Sequence, residues 1–114
     1  MDGCIFCKIA SGQIPARKVF EDDALVAFHD ISSKAPVHVL VIPKLHIASV
    51  NELHAIEDSL AGKMLKLLPM LAEMLGVKTT GYRVVINCGE NGGQSVDHLH
   101  FHLLGGRALT WPPG

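Results

Sequence analysis

The spacing of apolar positions along the chain changes period twice. Two β-rich runs, "KVF" and "ALVAF", flank the acidic Glu21-Asp22-Asp23 and read as the strands of a hairpin. "VHVLVI", from Val37 to Ile42, is β-branched and stops at Pro43, which cannot donate to a ladder and so marks a strand end. The period then lengthens: Leu60, Met64, Leu67, Leu68, Leu71 and Leu75 recur at three and four, predicting a helix whose apolar stripe covers one face of a sheet. Gly76 is placed to stop it, while Pro69 falls inside it, where a proline costs roughly 3 kcal/mol unless the helix kinks. "YRVVINC" (Tyr82 to Cys88) and "DHLHFHLL" (Asp97 to Leu104) read as neighbouring antiparallel strands joined by the glycine-rich "GENGGQSV". The segment "SGQIPA" has turn composition, and the tail "GGRALTWPPG" has too many breakers for a regular element, so it reads as an extended arm. Hairpin, strand, helix and two strands, in that order, favour an antiparallel α+β domain over alternating βα units.

Length and composition narrow the function. The 114 residues are enough for one core, so residues 1–114 read as a single domain. With 48% apolar residues, 18% charged residues and a formal charge of -1, the chain offers no broad basic field for nucleic acid or an anionic membrane. The longest apolar stretch, Leu60 to Val77, is broken by Lys63, Lys66, Pro69 and Glu73, too polar for a membrane span. The acid at Asp2 does not suit a signal peptide, so the expected location is cytoplasmic. Three cysteines, two of them as Cys4-x-x-Cys7, fit reduced thiols or a metal site better than a secreted disulfide framework.

Three of the seven histidines alternate with apolar residues in "HLHFHLL". On a strand, His98, His100 and His102 share a face about 6.6 to 6.8 Å apart, and Leu99, Phe101 and Leu103 turn the other way, toward the helix. The outer pair is then roughly 13 Å apart, too far for all three to bind one zinc. A row of imidazoles can instead do chemistry, one neutral nitrogen attacking an electrophile while a neighbour handles a leaving-group proton. Just upstream, Gly89, Gly92 and Gly93 permit close backbone approach, and consecutive N–H groups with the Gln94 and Ser95 side chains could cradle phosphate oxygens. The same loop also suits a plain hairpin connection.

At this point a resemblance becomes specific. His98 to Leu104 resembles the signature of the histidine triad nucleotide hydrolases and transferases at every position, and "FEDD", "AFHDI", "HVLVIPKLHI", "GYRVVIN", "GGQS" and "GGRALTWPPG" look like its Hint branch. The resemblance implies a HIT-like fold, a five-stranded antiparallel sheet with a main helix packed on it, dimerising into one continuous sheet. It implies a purine nucleoside phosphoramidase, cleaving P–N bonds such as those of adenosine phosphoramidate or lysyl-AMP, with no cofactor needed for the chemistry. Carried over, His100 would be the nucleophile that forms a nucleotidyl-histidine, and His102 would contact the phosphate and leaving group and assist proton transfer. Gly93, Gln94 and Ser95 would bind phosphate, Asn87 would lie near phosphate and sugar, and Asp30 would accept the ribose hydroxyls. Phe28, His29, Ile31, Ile5, Phe6 and Ile9 would line the purine pocket, with His38 either a pocket wall or a structural partner. A carboxylate suits vicinal hydroxyls, although Asp30 equally suits a turn and Asn87 a bond to the adjacent loop. Transferase relatives carry glutamine at the position of His102, and the polyphosphate hydrolase branch lacks this "WPPG" ending. The tail's Trp111 would reach the partner subunit.

Cys4-Ile5-Phe6-Cys7 has the spacing of a zinc knuckle, whereas a thioredoxin-like redox pair should open a helix after a strand. Zinc needs two more ligands. Microbial members of the resembled family pair such cysteines with the histidine of "PKxH", here His46, and the first of the triad, here His98, which implies one structural zinc per chain. Cys88 has no partner in that scheme and reads as core. Two alternatives to the phosphoramidase stand beside it: a nucleotide-binding regulatory or scaffold protein with incidental hydrolysis, and a dinucleoside polyphosphate hydrolase. A nucleic-acid end-processing role would need a basic surface that is absent from the sequence.

Overall fold

A computed structural model describes residues 3–114. Its elements are α1 (Ile5–Ala10), β1 (Lys18–Glu21), β2 (Leu25–His29), β3 (Val37–Pro43), a 3-10 helix (Val50–Ala55), α2 (Asp58–Met74), β4 (Tyr82–Val85) and β5 (Phe101–Gly105). The strands form one five-stranded sheet in the order β1-β2-β3-β5-β4, and each neighbouring pair is antiparallel. The α+β expectation holds, and so does the pairing of the last two strands.

The hairpin turns where the acids predicted. The Asp22 carboxylate accepts the N–H groups of Ala24 at 2.9 Å and Leu25 at 2.8 Å, satisfying the donors that the reversal exposes. α2 ends as its glycine requires. Gly76 takes φ +76, its N–H donates to Glu73 O, and Val77 N–H donates back to Ala72 O, so these two carbonyls of the last turn are satisfied. Pro69 leaves α2 unbroken from Asp58 to Met74. It lies on the exposed side, and so does Leu65, whose carbonyl loses its helical donor there and is left to water.

The sheet is covered on both faces. Leu25, Ala27, Val39, Val41, Leu99, Phe101 and Leu103 pack with Met64, Leu67, Leu68, Leu71 and Ala72 of α2. On the other face Val26, Phe28, Leu40 and Ile42 pack with Phe6 and Ile9 of α1. The double cover explains why β2 and β3 read as nearly unbroken apolar runs. Sequence reading missed α1, because six residues are too few to show helical periodicity. The cysteine motif therefore does open a helix: Cys4 is its N-cap, with Sγ accepting from Cys7 N–H at 3.3 Å. No strand precedes it among the described residues, so the redox arrangement is incomplete.

Two strands are shorter than expected. β4 ends at Val85, before Asn87 and Cys88, and Cys88 is half-buried rather than core. β5 begins only at Phe101, so His98 and His100 precede the ladder. The register pairs Val41 with Phe101, so the next hydrogen-bonding step would use Pro43, which has no N–H. The Pro43 carbonyl is taken instead by the His98 ring, and the Leu99 N–H by Ile47 O.

Candidate active site

His98, His100 and His102 all turn toward α1 while Leu99, Phe101 and Leu103 enter the core beneath α2, as the alternation predicted. The Phe6 ring meets His98 and His100 edge-on, at centroid distances of 5.9 and 5.0 Å, and the His100 and His102 rings are 5.0 Å apart. The three then divide between two environments, and hydrogen bonds determine where each ring keeps its proton.

His100 Nδ1 lies 2.7 Å from the His98 carbonyl, which can only accept. Nδ1 therefore carries the proton, and the lone pair of Nε2 is left free. His38 Nδ1 accepts the Lys34 N–H at 3.0 Å, so its proton sits on Nε2, 2.9 Å from His102 Nδ1 and 3.4 Å from an Asp30 carboxylate oxygen. His102 accepts at Nδ1 and holds its own proton on Nε2. The result is a nucleophilic nitrogen on one ring beside a donor N–H on the next. Burial, then the neighbouring His100 and His38, hold His102 down to about 4, with Asp30 opposing. Burial likewise lowers His38, again against Asp30.

These rings open onto a cleft of about 510 Å³ whose apolar wall comes from Ile5, Phe6, Ile9, Phe28, Leu40 and Leu104. Asp30, Ser32, Lys34, Asn87 and Ser95 supply its polar groups, and Ile31 stands among them. An apolar wall beside a small set of polar groups suits a flat heteroaromatic ring carrying a polar substituent.

His98 belongs to a second cluster. Its Nε2–H donates to the Pro43 carbonyl at 2.8 Å, leaving Nδ1 unprotonated and 3.3 Å from Cys4 Sγ, 3.5 Å from Cys7 Sγ and 3.1 Å from His46 Nδ1. Cys7 Sγ and His46 Nδ1 are 3.2 Å apart, and the four ligand atoms all lie within 4.8 Å of one another. Zinc–nitrogen bonds near 2.0 Å and zinc–sulfur bonds near 2.3 Å put tetrahedral ligands about 3.3 to 3.8 Å apart, so this donor set fits a closed site. The carbonyl behind His98 fixes the tautomer a metal ligand needs. Without metal, burial and then the Cys4 neighbour raise the Cys7 thiol, and burial followed by the neighbouring histidines lowers His98. Asp30, His38 and His102 form another compact group, but there the His38 tautomer puts a proton where a metal would need a lone pair.

Residues 11–109 match the family model of the HIT domain. The chain belongs to the HIT family. An uncharacterized HIT-like protein of Synechococcus elongatus is 53% identical over 96% of both chains. The purine nucleoside phosphoramidase of Escherichia coli is 44% identical over 92% of this chain and 88% of its own. A HIT family hydrolase from Legionella pneumophila superposes with a TM-score of 0.95 at 50% identity, covering 98% of this chain and 100% of that one. The HIT fold expected from the resemblance is thus the fold observed.

The catalytic and substrate-binding residues carried over from sequence fall into two groups. Asp30, Ile31, Asn87, Ser95, Phe28, Ile5, Phe6, Ile9, His38, His100 and His102 all border the cleft. Gly93, Gln94 and His29 do not. The Gly93 and Gln94 N–H groups are spent on Glu90 O and Gly89 O, so the consecutive-amide cradle is closed by the loop's own turns. The Gln94 side chain accepts from Gly89 N–H and donates to Ala48 O and Val96 O, stapling the loop to the segment before the 3-10 helix. His29 follows Phe28 on β2, and strand alternation turns it to the opposite face. Asp30 proves to be a turn residue as well, one carboxylate oxygen holding Ser32 N–H at 2.8 Å. Asn87 donates one amide hydrogen to Gly92 O at 2.7 Å, which leaves the second to donate elsewhere. Sequence reading passed over Leu40 and Leu104, although each shares a strand face with a histidine it had named. Ser32 and Lys34 gave no periodic signal at all.

Proposed function

We propose that this protein hydrolyses the P–N bond of purine nucleoside phosphoramidates through a covalent nucleotidyl-His100 intermediate. The observation that carries the reading is the fixed tautomer of His100, whose Nδ1–H is bound to the His98 carbonyl so that Nε2 offers a lone pair to the cleft. His100 Nε2 bonds to phosphorus as the P–N bond breaks, and the leaving nitrogen departs as an amine with a proton delivered from water by way of His102. Water then attacks phosphorus, the bond to His100 breaks, and the proton of that water returns by the same route. His102 suits a relay because its Nδ1 is occupied by the His38 Nε2–H, which leaves its own Nε2–H for the cleft beside His100. The apolar wall of Ile5, Phe6, Ile9 and Phe28 takes the purine, Asp30 the ribose hydroxyls, and Ser95 with Asn87 the phosphate oxygens. The name of the Escherichia coli relative supports the choice of substrate class.

Cys4, Cys7, His46 and His98 hold one structural zinc in this reading. The ion ties α1 to the start of β5, so the purine wall and the nucleophile keep their separation. The protein works as a homodimer, the form implied by its resemblance to the Hint branch. Adenosine 5′-phosphoramidate is the substrate to test. His100→Ala should lower amine release at least about 10³-fold. Wild-type turnover in that variant would remove the nucleophile assignment.

A further inference from the structure

The tail after β5 is tied back toward the active site by one residue that the reaction does not touch. Gly106 takes φ +89, and a Cβ there would lie 2.8 Å from the Pro36 ring, so the chain reverses tightly against the loop between β2 and β3. The turn delivers the Arg107 guanidinium to that loop. Its Nε donates to the Lys34 carbonyl at 3.2 Å and a terminal nitrogen donates to the same oxygen at 2.9 Å, while its other terminal nitrogen holds Ala108 O at 3.0 Å. The planar fork thus grips Lys34 with two N–H groups in one orientation. Lys34 is also the residue whose N–H donates to His38 Nδ1 at 3.0 Å.

We propose that Arg107 is a positioning residue for the hydrolysis: by holding Lys34 at its carbonyl it keeps the Lys34 N–H aimed at His38 Nδ1, which locks His38 with its proton on Nε2 and so orients His102. The chain of contacts runs from the tail to the reacting centre without a gap. Lys34 N–H to His38 Nδ1 is followed by His38 Nε2–H to His102 Nδ1 at 2.9 Å, and each ring has only one nitrogen left to carry its proton. If Lys34 swings away, His38 Nδ1 loses its donor, and only the Asp30 carboxylate, 3.4 Å from Nε2, still favours the proton there. The ring can then present a bare Nε2, and His102 answers by putting its proton on Nδ1, facing away from the substrate. Arg83 anchors the tail separately, donating to Leu109 O and Thr110 O, so the arm itself stays attached when Arg107 is changed.

This inference rests on the hydrolase reading for its kinetic consequence, but not for its structural one, and the two are measured separately. Long-range nitrogen–proton NMR of the imidazole rings in the ¹⁵N-labelled full chain reports the tautomer of His38 directly. The wild type should show the Nε2–H form, and Arg107→Ala should move the His38 ring nitrogens toward averaged values. With adenosine 5′-phosphoramidate, kcat should fall about tenfold while KM stays within about twofold, because orientation is lost and the pocket is not. Arg107→Lys keeps the charge without the fork and should behave as the alanine variant does, which also covers the case where alanine fails to fold. Guanidinium ion added to Arg107→Ala should restore part of kcat. Unchanged His38 nitrogens in both variants, or a loss confined to KM, would overturn the proposal. If the wild type releases no amine at all, the phosphoramidase reading fails, and the ring nitrogens still decide the role of Arg107.

Discussion

At the scale of single residues, function turns on which nitrogen of each imidazole holds the proton. His98, His100 and His38 each face a backbone group whose role is fixed: carbonyls of Pro43 and His98, and the N–H of Lys34. Three rings of one residue type are therefore each fixed in one tautomer, suited under the proposed function to a metal ligand, a nucleophile and an orienter. The same burial has a cost in acid. His102 is held down to about 4 against an ordinary 6.5, and His38 is lowered too, with His100, His38 and Asp30 the charged or titratable groups facing His102. The unfolded chain protonates these rings near their ordinary value and the folded chain does not. Stability is therefore fully present above the ordinary histidine range and lost progressively as pH falls from 6.5 toward 4. Urea midpoints measured at about pH 7.5 and about pH 5 should show the loss, and His102→Gln should make it smaller. An equal loss in the variant would contradict the assignment.

At the scale of elements, a tight fit lies where β5 passes the end of α2. Gly105 is paired with Val37 on one side and Tyr82 on the other, and a Cβ there would come 2.9 Å from two carbon atoms of Val77. Gly105→Ala must push Val77 out of the core beneath α2 and should cost about 1 to 3 kcal/mol in chemical denaturation, with no direct contact to the cleft. A neutral effect would mean the sheet can shift there. The ending of β5 at its other end is equally informative. The alternation of "HLHFHLL" was legible as a strand, but the ladder stops at Phe101, paired with Val41, because the next step would use Pro43, which has no N–H. Freed from the ladder, His98 reaches Cys4 and Cys7, more than ninety positions earlier in the chain.

At the scale of the whole molecule, the cluster of Cys4, Cys7, His46 and His98 is where the first helix, the segment after β3 and the entry to β5 meet. Metal analysis of protein purified without chelator should find about one zinc per chain, and Cys7→Ala should remove it. Either that substitution or a strong chelator should lower the unfolding midpoint more than it alters turnover by folded protein, since in the proposed reading the ion would hold the frame and take no part in the reaction. Finding no metal would reject the site. β4 forms one edge of the sheet, with all four of its residues only half-buried, and Trp111 on the arm beyond β5 is 81% exposed. An open edge and an exposed indole are what a second copy would cover. Sedimentation should therefore give a dimer, and a monomer at working concentration would count against it. Among the described residues no helix is long and apolar enough to cross a membrane.

The sequence by itself determined the hairpin, the strand ended by Pro43, the main helix with its Gly76 stop, and the face on which the histidines stand, because periodicity and local turn chemistry act over a few neighbouring residues. It also made the family legible, and with it most of the cleft. Tertiary structure alone decided the rest. The short α1 gains its stability from Phe6 and Ile9 docking on the sheet, not from its own length. The Gln94 side chain and the Gly93 amide are engaged in closing the loop by partners that only folding supplies, among them Ala48 and Glu90. The proton on each histidine was settled in the same way, by a carbonyl or amide that packing brings alongside, and no spacing of residues in the chain encodes it.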